Sequence, residues 1–146
     1  MVNDGAASFL LMTYEKAREL NIQPEAEILS YGVAALDPSY MGEGPACVIP
    51  SVLGKVGARI DDIDVCEINE SFAATTIAVQ RALEIPDEKL NIYGGAIALG
   101  HPVGATGTIL TVKAINLLKD TEKNRALISL CVGNGQGVAL LIQRCS

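Results

Sequence analysis

Arg125-Ala126-Leu127-Ile128-Ser129-Leu130-Cys131-Val132-Gly133-Asn134-Gly135-Gln136-Gly137-Val138-Ala139-Leu140-Leu141-Ile142 places two apolar runs on either side of a glycine cluster. Residues 125–131 predict a strand, 133–137 a tight turn and 138–142 the returning strand of a β-hairpin. Working back from this hairpin, residues 105–118 carry Ile109, Leu110, Val112, Ala114, Ile115, Leu117 and Leu118. They predict a helix that is apolar on most of its circumference and buried on nearly all sides. Residues 90–93 read as a short extended piece, 71–84 as a helix stopped before Pro86, and 64–69 as a strand. A helix from Pro45 to about residue 57 contains Pro50, which leaves its boundary open. Residues 25–36 read as a strand broken by Asp37-Pro38-Ser39. Thr13 can cap a helix over 14–20, with Asn21 and Pro24 beyond its end. Residues 6–12 form an apolar run short enough for a buried strand. Strands that alternate with helices and close on a hairpin predict an α/β fold, a mixed sheet covered by helices.

The composition supports a packed domain. The chain has 146 residues, of which 49% are apolar and only 4% aromatic. The core is therefore built from Ala, Val, Ile and Leu, and a disordered tail is excluded. A net charge of −6 argues against a nucleic-acid surface. No Lys/Arg run addresses an anionic membrane, and no apolar segment has the length of a membrane span. The N-terminus has no basic stretch leading into an apolar core, so no secretory signal is read. Cys47, Cys66, Cys131 and Cys145 are scattered, with no CxxC pair, and a reducing, cytoplasmic setting is the simplest reading. One histidine and no cysteine cluster leave no zinc-ligand set, so no metal is expected.

Three polar junctions carry the chemistry. Residues 94–107 hold five of the fourteen glycines and the only histidine, His101, fixed by Pro102. Glycines let backbone pass close to another group, and imidazole changes charge near neutral pH. The loop is not a phosphate-binding P-loop, because no Gly-Lys-Ser/Thr ends it. The second junction is Asn69-Glu70-Ser71-Phe72-Ala73, and the third is Cys131-Val132-Gly133-Asn134-Gly135-Gln136-Gly137. Taken singly, a strand cysteine is usually a core residue, Asn69 a helix cap and the glycine loop a turn around a buried histidine. Taken in order, they are far more specific.

That ordered set resembles the C-terminal half of the thiolases, which carry Asn-Glu-Ala/Ser-Phe-Ala, Gly-His-Pro-x-Gly and Cys-x-Gly-Gly-Gly-Gln-Gly motifs in this sequence. Asn3-Asp4-Gly5-Ala6-Ala7 and Asp37-Pro38…Met41-Gly42…Gly44-Pro45 are similar to further family segments, so the resemblance covers essentially residues 1–146. It implies one half of a thiolase-like fold, with a mixed five-stranded sheet covered by helices. It also implies acyl transfer between CoA thioesters, which are substrates and not permanently bound cofactors. By the same resemblance, Cys131 matches the cysteine that acts as base or acid at the carbon next to a thioester carbonyl. His101 matches the histidine that activates the nucleophile and helps hold a thioester oxygen. Asn69 matches the residue that positions a water in that oxyanion site, and the Gly133 N–H matches a donor of the second. Phe72 matches a wall of the pantetheine tunnel, with Ser71 beside it as a substrate-side residue. Glu70 has no assigned step beyond supporting its loop, and Cys47, Cys66 and Cys145 read as structural.

Two departures stand out. Asn134 replaces the middle glycine of the third motif, the least costly exchange where φ is positive. Thr106 stands where Ser or Ala is commoner. The family nucleophile is expected in an N-terminal half outside these residues, which makes the chain on its own incompetent in catalysis. Three readings stay open: a domain taken without its other half, a subunit of a split enzyme, or a non-catalytic remnant acting as a binding or oligomerisation module. The apolar helix over 105–118 matches one lying between two halves, so an isolated chain is expected to self-associate as a homo-oligomer.

Overall fold

Strand residues alternate sides, and where both sides are mainly apolar, as in residues 65–68 and 125–130, the sheet is covered on both faces. The computed structural model describes residues 3–145. Its strands are β1 (Ala26–Ala35), β2 (Val65–Ile68), β3 (Arg125–Val132) and β4 (Gln136–Arg144). The helices are α1 (Tyr14–Glu19), α2 (Gly44–Gly54), α3 (Ala73–Leu83), α4 (Ala96–Leu99) and α5 (Thr106–Asp120). The sheet order is β1-β4-β3-β2. β1 with β4 and β4 with β3 are antiparallel, and β2 with β3 is parallel. Leu127, Cys66, Ile68 and Leu141 pack with Val48, Ile49, Val52 and Val79 of α2 and α3 on one face. Val65, Ala126, Ile128 and Ile142 pack with Leu110, Ala114, Leu117 and Leu118 of α5 on the other. The expected mixed α/β sheet is present.

Several boundaries differ from expectation, each for a local reason. The sheet has four strands among the described residues, not five. Residues 6–12 are apolar as read, but a strand also needs a partner edge, and this segment joins no ladder. Residues 8–14 instead wall a groove of about 750 Å³ with Val112 and Ile115 of α5 and Ile28, Leu140 and Ile142 of the sheet. α5 is therefore not buried on nearly all sides. Its sheet-facing residues are sealed, Ile109, Val112 and Ile115 are half-buried, and Gly107 and Asn116 are exposed. α2 stops at Gly54 and not at residue 57, because the chain turns through a left-handed Gly57 (φ 65°) and the Ala58 N–H returns to the Leu53 carbonyl. α3 begins at Ala73, since Ser71 and Phe72 lie outside the helix and Phe72 is extended. Thr13 caps α1 as expected, accepting the Lys16 N–H at 3.2 Å. No helix among the described residues is long and apolar enough to cross a membrane.

A backbone contact locks the start of α2 onto the hairpin. A Cβ on Gly137 would lie 2.1 Å from the Gly44 carbonyl oxygen, and one on Gly44 would lie 2.5 Å from the Gln136 oxygen. Neither obstacle is a movable side chain. Gly137→Ala is expected to cost about 1–3 kcal/mol through overpacking, read as a lower midpoint in urea denaturation. Gly104→Ala, which meets nothing within 4 Å, is the matched control and should leave the midpoint nearly unchanged.

Candidate active site

Parallel pairing of β2 and β3 sets the site. Ile68 lies opposite Ser129, and the Asn69 N–H continues the ladder to the Ser129 carbonyl at 2.9 Å. The carboxyl ends of the two strands therefore deliver Asn69 and Cys131 side by side, where open α/β sheets place their ligands. Asn69 is buried, whereas Ser71, His101 and Cys131 are half-buried and Phe72 is 66% exposed. The Asn69 amide donates to Ser71 Oγ at 3.0 Å and faces His101 Nε2 at 3.5 Å. Ser71 Oγ lies 3.2 Å from Cys131 Sγ. Four of the expected site residues thus form one chain of contacts. Gly133 follows two positions after Cys131 and is exposed, and Phe72 stands at the rim.

The histidine is held from behind. Thr106 Oγ1 donates its single hydrogen to the Pro102 carbonyl at 3.0 Å and meets His101 Nδ1 at 2.7 Å. A hydroxyl has one hydrogen to give, so at the second contact it accepts. An amide nitrogen can only donate, so the Asn69 contact asks Nε2 to accept and the Thr106 contact asks Nδ1 to donate; both fit a neutral His101 with its proton on Nδ1. Sequence reading noted Thr106 only as a mild departure. Its position five residues after the histidine, at the first turn of α5, was the available signal.

A second set of contacts holds the glycine loop. Glu70 Oε2 accepts the Ile97 N–H at 3.0 Å, and Oε1 accepts the Asn91 side-chain amide at 3.0 Å. The carboxylate fills the space a Cβ on Gly95 would need, with the nearest atom 2.1 Å away. Glu70 thus supports the loop, as expected. Asn91 also pairs with both backbone groups of Ile68, each at 2.9 Å, in the manner of a neighbouring strand. Nothing in the sequence around Asn91 marks that role. Beneath the loop, Lys113 reaches the Gly94 carbonyl and pairs with Glu67 Oε2 at 2.5 Å. Glu67 is fully buried and its Oε1 has no hydrogen-bond partner. Burial pushes the Glu67 carboxyl up to about 7, against the opposing pull of Lys113.

The remaining cysteines are placed elsewhere. Cys66 is sealed in the core, and burial pushes its thiol up to about 12. Cys145 lines the groove beside residues 8–14, and Cys47 is exposed on α2. The hairpin turn explains the Asn134 departure: its φ is 66°, followed by Gly135 at 78°. The one non-glycine residue of this turn with positive φ is of the type that tolerates it best.

The family model described as "Thiolase, C-terminal domain" matches residues 22–144. A protein of Staphylococcus epidermidis named probable acetyl-CoA acyltransferase is 46% identical over 143 residues, which are 98% of this chain and 36% of the relative. The same-named protein of Staphylococcus aureus is also 46% identical with the same coverage. Among solved structures, the Bacillus anthracis acetyl-CoA acetyltransferase superposes with a TM-score of 0.90 at 46% identity, covering 92% of this chain and 34% of that one. Human mitochondrial 3-ketoacyl-CoA thiolase in complex with CoA superposes with a TM-score of 0.89 at 40% identity, covering 91% and 34%. The chain spans about a third of the length of these relatives.

Two measurements check the site as described. His101 is the only histidine, so its ring nitrogens are assignable by 15N NMR without ambiguity. The Nδ1–H form should dominate the neutral ring, Thr106→Val should abolish that preference and cost about 1 kcal/mol, and Thr106→Ser should retain it. Glu67 supplies a pH test. Its folded-state value lies above the ordinary 4.5, so the folded state binds more protons between 4.5 and about 7. This group's contribution to stability is therefore present at low pH and lost as pH rises through that window. The stability difference between wild type and Glu67→Gln should fall from pH 4.5 to 7 and level off above it.

Proposed function

This chain belongs to the thiolase family, matching its C-terminal domain, and from that premise we propose that it forms part of an acyl-CoA C-acetyltransferase. The reaction is the reversible joining of two acyl-CoA units into a 3-ketoacyl-CoA and free CoA. In the joining direction, Cys131 as thiolate takes the proton from the carbon next to a thioester carbonyl. The C–H bond breaks, the S–H bond forms, and the electron pair moves onto the thioester oxygen as an enolate. Donors fixed in advance at such an oxygen lower the barrier most effectively. In this reading His101 and a water positioned by Asn69 serve one oxyanion site, the Gly133 N–H serves the other, and Phe72 borders the path of the pantetheine arm. The carrying observation is the run of contacts His101–Asn69–Ser71–Cys131, which joins three sequence motifs at 3.0–3.5 Å. Asn69 Oδ1, buried with no hydrogen-bond partner, is an acceptor free to orient a water. The CoA complex of the human relative supports CoA thioesters as substrates.

A two-thiol mechanism also needs a cysteine to receive the acyl group. Cys66 is sealed, Cys47 sits on the outside of α2 and Cys145 lies in the groove by α5. We therefore assign the acyl carrier to a thiolase N-terminal half, in the same or a separate polypeptide, within a cytoplasmic homo-oligomer. The partly covered face of α5 and the exposed Phe9, Leu10 and Leu11 support burial against further protein.

Acetoacetyl-CoA thiolysis tests this reading. The chain assembled with an N-terminal half should turn over, and Cys131→Ala or His101→Ala should lower kcat by about 10²–10⁴-fold. The 146 residues alone should give no turnover and should elute as an oligomer in native mass measurements. Turnover by the chain alone, abolished by Cys131→Ala, would make Cys131 the acyl carrier and overturn the two-thiol assignment.

A further inference from the structure

Ser71 stands between Asn69 and Cys131, and its hydrogen inventory is decided by its neighbours. A serine hydroxyl has one hydrogen to donate and two lone pairs to accept with. The Asn69 contact is made through the amide nitrogen, which donates, so it occupies one of the lone pairs. The Asn69 acceptor oxygen has no hydrogen-bond partner, so the Ser71 hydrogen does not go there. The other hydrogen-bond neighbour is Cys131 Sγ at 3.2 Å. We propose that Ser71 is a positioning residue for proton transfer, whose hydroxyl, already loaded by Asn69, donates its hydrogen to the Cys131 sulfur.

This proposal rests on the reading of Cys131 as the proton-transfer group. Its consequence is twofold. The donated hydrogen occupies a sulfur lone pair, which leaves the S–H free to address substrate carbon and not the serine. The bond also strengthens when the sulfur is negative, because hydrogen bonds to a charged acceptor are shorter and stronger than neutral ones. Ser71 therefore favours the thiolate over the thiol. His101 sits at the other end of the same run, 3.5 Å from the Asn69 amide. With its bare Nε2 accepting there, the histidine polarises the amide that loads Ser71, and Cys131 is coupled to it across two side chains. Ser71 belongs to the second junction of the sequence, where it had been placed on the substrate path through its neighbour Phe72. The structure directs it toward the thiol.

The test reads Cys131 directly and needs no substrate. Alkylation of the intact protein by iodoacetamide is followed at each cysteine by peptide mass spectrometry across pH. In Ser71→Ala the midpoint of the Cys131 profile should move up by about one pH unit. Below that midpoint the rate should fall about threefold, less than tenfold because a more basic thiolate is also more nucleophilic. Ser71→Thr, which keeps the hydroxyl, should restore the wild-type profile. An unmoved midpoint in Ser71→Ala, or a Thr variant that behaves like Ala, would overturn the proposal. Cys66 is sealed in the core and reports loosening. A rise in Cys66 labelling that accompanies the Cys131 change would assign the effect to unfolding and equally overturn it. Failure of thiolysis would remove the proposed reaction while leaving this alkylation result standing, so the two readings fail separately.

Discussion

Everything at the site hangs on the parallel ladder between β2 and β3. Only four residues of β2 take part, yet they fix which side chains emerge at the carboxyl edge. A slip of one residue would carry the side chains of β2 to the other face of the sheet, because side chains alternate along a strand. The register is held by burial on both sides. Cys66 and Ile68 enter the layer under α2 and α3, and Val65 enters the layer under α5. Neither face can be exchanged for the other without exposing core. The chemistry is thus positioned by packing, with hydrogen bonds supplying the last adjustment.

The glycine loop shows that adjustment at work. It has little side-chain mass of its own, so neighbouring elements dictate its path. Asn91 substitutes for a fifth strand beside Ile68 and hands an amide hydrogen to Glu70. Glu70 closes onto the backbone of α4, and Lys113 reaches up from α5 to Gly94. The lysine brings a cost with it, since its partner Glu67 lies fully buried. A buried carboxylate with one oxygen unpaired is a poor source of stability. Its worth here is geometric, in that it keeps the lysine aimed under the loop that carries His101.

Much of this was legible in the sequence, and the exceptions have physical causes. The hairpin, the helix after the glycine loop and the strand leading to Asn69 follow from apolar periodicity and glycine punctuation. Asn134 was readable because positive φ selects among few residue types. Residues 6–12 were misread because hydrophobicity shows that a segment seeks cover and does not show whether the cover is a strand edge or a helix face. The overstatement of burial on α5 has the same root. Asn91 and Thr106 were missed as site supports because they act through side-chain hydrogen bonds, Asn91 to Ile68 and Glu70 more than twenty residues away and Thr106 to a histidine already read as a site residue. Such contacts leave no periodic trace. Ser71 was seen, but its partner is 60 residues away in the chain, beyond the reach of any local pattern.

That separation has a kinetic side. The β3–β4 hairpin pairs Val132 with Gln136 across a short turn and closes with little loss of chain entropy. Contacts such as Asn69 with His101, 32 residues apart, or Ser71 with Cys131 form only after long loops have closed. Long-range parallel pairing is intrinsically slow. Cys131 therefore gains its polar neighbours late in folding. Assembly of the polar run is a marker that the topology has completed.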